Sequence, residues 1–71
     1  MTRDEIVRLE TYLRATLRCD VVEVKQRPKK DDSAEVYIGG EFIGVLFRDD
    51  EDGERSYNFQ MAILDMDLPP A

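Results

Sequence analysis

Apolar residues at Ile6, Leu9, Leu13 and Leu17 recur every three or four positions and predict an amphipathic helix over about residues 3–18. Thr2 and Glu5 have the spacing of a capping box, in which each side chain satisfies the other residue's amide. Asp4 and Glu5 suit the positive end of the helix dipole, and Arg18 suits its negative end. Arg8, Arg14 and Arg18 lie off the stripe and are expected to face water. The period then falls to two. Val21, Val22 and Val24 alternate with Glu23 and Lys25, which predicts a strand over about 20–26, ended by Pro28. A second strand, Ala34 to Ile38, runs into Gly39-Gly40, a pair that accepts the positive φ of a two-residue hairpin. The third strand is expected from Phe42 to Arg48. After the acidic turn 49–54 a fourth is expected from Arg55 to Leu64, with Tyr57, Phe59, Met61 and Ile63 alternating against polar or small residues.

These elements predict an α+β fold: an N-terminal amphipathic helix packed on one face of a four-stranded antiparallel meander, α-β-β-β-β. Residues 1–68 form a single domain and 69–71 a frayed C-terminal tail marked by Pro69 and Pro70. A regular ladder about Gly39-Gly40 sets Tyr37 opposite Phe42, Val36 opposite Ile43 and Ala34 opposite Val45. A five-residue loop then sets Tyr57 opposite Phe47, Phe59 opposite Val45 and Met61 opposite Ile43. The helix would cover the face holding Val22, Val24, Val36, Ile43, Val45 and Phe47. The other face is mostly polar but gathers Tyr37, Phe42 and Leu46, an apolar cluster that no second helix covers and a candidate interaction surface.

Charge narrows the functional classes. The 71 residues carry a net charge of −6, which argues against broad affinity for nucleic acid. Residues 1–30 hold eight of the ten basic residues and five acids, whereas residues 31–71 hold two basic residues and eleven acids. The chain is thus strongly dipolar. The basic run Lys25, Arg27, Lys29 and Lys30 could touch phosphates, with the sheet aromatics stacking on bases; this weak single-stranded nucleic-acid binder is the alternative reading. Acids at 23, 31, 32 and 35 surround the same segment and oppose it.

Catalytic chemistry has little material. The chain has no histidine, the usual general base near neutral pH. Its one cysteine, Cys19, follows a helix C-terminus, which does not activate a thiol. Asp65 and Asp67 could share a face of an extended segment, although a polar chain end explains them equally well. Aligning Gly53 with the glycine of a calcium-binding EF-hand loop places Arg48 and Phe59 at ligand positions, so the acidic turn reads as a hairpin turn with at most weak divalent binding. No enzyme activity, cofactor or metal is expected. A lone cysteine, a charged start in place of a signal peptide, and no apolar run near the roughly 18 residues of a membrane span point to the cytoplasm.

The run from Asp32 through Tyr37, Gly39-Gly40 and Phe42 to Leu46, with Asp49-Asp50-Glu51-Asp52-Gly53 and Ser56 to Asp65, resembles a family of short alphaproteobacterial proteins catalogued as Domain of Unknown Function 3126. The likeness covers nearly the whole chain. It implies a bacterial, cytoplasmic, stand-alone domain and brings no catalytic or binding residues with it. The residues themselves favour a small non-enzymatic protein-interaction module, for which a homodimer is one form, acting through the Tyr37–Phe42–Leu46 face or an open strand edge.

Overall fold

The computed structural model describes residues 1–71 apart from the side chain of Asp52. The helix, α1, runs from Arg3 to Leu17 and begins with the expected capping box. The Glu5 amide donates to the Thr2 hydroxyl at 3.1 Å, and the Thr2 amide donates to the Glu5 carboxylate at 2.9 Å. It ends one residue before the expected boundary because Arg18 turns left-handed, at φ 52°, and its amide closes on the last carbonyls. Leu13 is buried, Ile6 and Leu9 are packed against the core, and Leu17 is left exposed.

Four strands follow: β1 Val22–Gln26, β2 Ser33–Ile38, β3 Glu41–Asp49 and β4 Ser56–Gln60. They lie in the order β1-β2-β3-β4, each antiparallel to the next, which is the expected meander. Gly39 and Gly40 take φ values of 58° and 82°, the positive pair that a two-residue turn between twisted strands requires. The helix packs chiefly against β1. The core between them consists of Met1, Leu13, Val22, Val24, Ala34, Val36 and Leu46.

The expected ladder holds at the hairpin and fails beyond it. Tyr37 pairs with Phe42 as predicted, but Val36 then pairs with Gly44 and Ala34 with Leu46. Ile43 is therefore the extra residue of a β-bulge, and every later position of β3 turns to the opposite face from the one alternation assigned. This overturns the placement of Leu46: it is 2 % exposed, in the core beneath the helix, and does not join Tyr37 and Phe42 on the outer face. Val45 and Phe47 go outward in its place. The β3–β4 register is corrected too. The turn between them takes six residues, including a 3₁₀ turn at Glu51–Gly53, so Tyr57 pairs with Arg48 and Phe59 with Leu46.

The fourth strand ends at Gln60, four residues short of expectation. The reason lies at Gly44. A Cβ there would meet the Gln60 carbonyl oxygen at 2.4 Å and Phe59 Cε1 at 2.7 Å. The next ladder position would ask Met61 to pair with Gly44, where the bulge already bends β3 away. Residues 61–71 instead leave the sheet, with one 3₁₀ turn at Asp65–Asp67, and all of them are exposed.

Candidate interaction surface

The two outer strands of the sheet are finished differently. On β1, the helix supplies the partners that a neighbouring strand would otherwise provide. Arg14 Nε donates to the Val22 carbonyl at 2.8 Å, and the Val24 amide donates to the Glu10 carboxylate at 3.0 Å. Arg14 and Glu10 are themselves paired at 3.2 Å, one helical turn apart. Arg14 therefore reaches down to the sheet edge with its Nε, while its side chain stays partly in water as expected. An edge satisfied in this way is a poor template for another chain.

The helix is fixed at its other end by one carboxylate. Glu5, 6 % exposed, accepts from Arg48 Nη1 at 3.0 Å and from the Tyr57 hydroxyl at 2.6 Å, and Arg55 approaches at 3.5 Å. The bulge makes this possible, because it turns Arg48 to the helix side. The Thr2 amide above all, then the Tyr57 hydroxyl and the Arg48 guanidinium, hold the Glu5 carboxyl down at about 2. The Glu5 carboxylate in turn raises the Tyr57 phenol. A carboxylate this firmly ionised has no proton to exchange near neutral pH, so the group is a clasp between α1 and the β3–β4 hairpin. Asp50 extends it, meeting Arg55 Nε at 2.8 Å and lying 3.3 Å from Arg48 Nε. Because α1 sits over β1, an open cleft of about 560 Å³ remains between the helix and β4, bordered by Leu9, Tyr12, Arg55 and Tyr57.

On the β4 side, no side chain among the described residues hydrogen-bonds to the backbone of Ser56–Gln60. Beyond it runs an arm, residues 61–68, that carries Met61, Ile63, Leu64, Met66 and Leu68, between 49 % and 83 % exposed. Between this arm and the outer face of β3 lies a groove of about 420 Å³, lined mainly by Phe42, Val45, Phe47, Ala62 and Leu64, with Asp67 as its one charged side chain among the described residues. Exposed apolar side chains scattered singly are ordinary; five within eight residues, continuous with an apolar groove, form a patch.

Tyr37 and Phe42 meet edge to face on the outer side, ring centroids 5.7 Å apart. The Tyr37 hydroxyl donates to Glu35 at 2.8 Å, which raises its pKa, and Lys25 Nζ lies 4.5 Å from its ring. Phe42 reaches the groove and Tyr37 does not line it. Of the basic run, Lys25 is thus held over Tyr37, and Arg27 lies 4.0 Å from Glu35 and 3.4 Å from the Ser33 hydroxyl. Lys29 and Lys30 are exposed on the β1–β2 connection. The acidic turn uses its carboxylates locally: Asp49 accepts from the Glu51 amide at 2.9 Å, and Asp50 takes Arg55. Among the described residues no group of three or more metal-ligating side chains gathers. Cys19 is a free, half-buried thiol against the core. Asp65 and Asp67 both lie on the exposed 3₁₀ turn.

The sequence hides the arm because Met61 and Ile63 alternate as a strand would, and hides the clasp because only the bulge brings Arg48 to the helix side. Gly44 inside a strand was the available signal for both, since such a glycine marks a bulge or a close backbone approach.

Among the described residues no helix is long and apolar enough to cross a membrane. No curated protein and no solved structure matches the chain. The family described as "Protein of unknown function (DUF3126)" matches residues 5–67, a span that takes in the Glu5 clasp, the whole sheet and most of the arm, and the chain belongs to that family.

Proposed function

We propose that this protein is a small, non-enzymatic protein-interaction module of the bacterial cytoplasm, and that its contact surface is the β4 side of the sheet. The observation that carries this reading is the run of five exposed apolar side chains between Met61 and Leu68, beside an apolar groove and an open strand edge. Burying such side chains against a partner gains about 1.5–3 kcal/mol for each one fully covered. On the opposite edge the Val22 carbonyl and the Val24 amide are already taken by Arg14 and Glu10. Phe42, which lines the groove, belongs to this surface, and Leu46 has no part in it.

The alternative, single-stranded nucleic-acid binding through Lys25, Arg27, Lys29 and Lys30, has less in its favour. Two of those four cations are already engaged with Tyr37 and Glu35, and the remaining two sit beside Asp31 and Asp32. The test is site-specific photo-crosslinking in living cells. A photo-reactive residue in place of Met66 should couple to protein, whereas the same group in place of Val7, an exposed apolar position on the helix, should not. Equal yields at both positions, or coupling from Val7 alone, would overturn the assignment of the surface.

A further inference from the structure

We infer that the occupant of the groove is a second copy of this chain, each copy laying its 61–68 arm into the groove of the other about a two-fold axis beside β4. The inference rests on the reading of the β4 side as a contact surface and names what it contacts. Area carries it. The chain exposes 5728 Å², whereas a compact monomer of its 8.2 kDa would expose about 4,500 Å². Its radius of gyration is 13.3 Å, against about 11 Å for a compact chain of this length. The surplus, roughly 1,200 Å², is the size of one partner's share in an obligate dimer, whose interfaces bury upwards of about 2,000 Å² in total.

Shape supports the same occupant. The groove is walled on one side by β3 and on the other by the arm, so donor and acceptor surfaces are contiguous, as a self-complementary two-fold contact requires. Reciprocal seating would place the two arms side by side and cover Phe42 and Phe47 of both copies. It would also add a second apolar layer on the outer face of a sheet whose core, among the described residues, has only seven buried apolar side chains, which is few for an independent domain. Charge sets a signature. The arms would bring Asp65 and Asp67 of both copies together, so salt, which screens like charges, strengthens the dimer; a basic partner would be released by salt instead.

The experiment is sedimentation equilibrium from 1 to 100 µM on the wild-type chain and on the double variant Ile63→Asp/Leu64→Asp, with limited proteolysis of the arm and far-UV circular dichroism alongside. The expected result is a wild-type mass twice that of the chain, firmer in high salt, and a folded variant that sediments as a monomer. A dimer that survives in the variant, or that dissociates as salt is added, would overturn the arm-exchange geometry. A wild-type monomer whose arm is readily cleaved would overturn the second copy while leaving the arm free for a different protein. A monomer whose arm resists cleavage would overturn both this inference and the interaction reading beneath it.

Discussion

The sheet has two edges built from strands of equal length, and the chain treats them in opposite ways. At β1 the helix crosses the edge, and Glu10 and Arg14 reach down to the Val24 amide and the Val22 carbonyl. At β4 the helix is absent, the strand stops at Gln60, and the chain departs as an apolar arm. A helix of 15 residues is long enough to span the sheet but only about 10 Å wide, so it can dress one side of a four-stranded meander. The difference teaches where association is permitted. Edge strands are liabilities unless covered, and a chain that closes one and leaves the other beside exposed apolar residues has a direction in which it can grow.

The comparison breaks most completely at the clasp that sets the helix over β1. Replacing Glu5 with Ala removes the cap partner and leaves the Arg48 guanidinium without its buried counter-charge. The expected loss is about 3–5 kcal/mol, most of the stability of a chain this small, read as a collapse of the urea midpoint. Acid probes the same group. Its folded pKa of about 2 lies below its ordinary 4.5, so its contribution is complete above about 4.5 and lost as pH falls from there towards 2. The span corresponds to about 3 kcal/mol, and the wild type should approach the Glu5→Gln variant in stability as the pH drops.

Smaller effects separate the two edges. Gly44→Ala drives a methyl group into the Gln60 backbone and the Phe59 ring, so β4 must shift; a loss of about 1–3 kcal/mol is expected, with faster amide exchange in β4 than in β1. Arg14→Ala should cost about 1 kcal/mol in chemical denaturation and open β1 to pairing, seen as new light scattering at high concentration. Met66→Ser changes a side chain that touches little within the chain, and its effect on monomer stability should stay within about 0.5 kcal/mol in the same assay.

Much of this architecture is legible in the residues. The Thr2–Glu5 box, the Ile6-Leu9-Leu13 stripe, the change of period after Asp20 and the Gly39-Gly40 turn are local signals, and the helix and the meander follow from them. The faces are less legible because alternation fixes them only while no residue is inserted. One bulge at Ile43 exchanges Leu46 for Val45 and Phe47, and with that exchange the apparent surface cluster loses a member and Glu5 gains Arg48. The reach of Arg14 to the sheet edge is illegible for another reason. A long cationic side chain off the apolar stripe ordinarily points to water, and only the position of β1 beneath it supplies a carbonyl to bind. The arm hides behind a strand-like pattern whose next ladder partner, Gly44, lies at the bulge that bends β3 away.

The central claim is that contact belongs to the β4 side and not to the β1 side, and hydrogen exchange at two protein concentrations tests it directly. The account predicts that amides of β4 and of residues 61–68 exchange more slowly at the higher concentration while those of β1 are unchanged. Slowing confined to β1, or identical exchange at both concentrations along the whole chain, would contradict it.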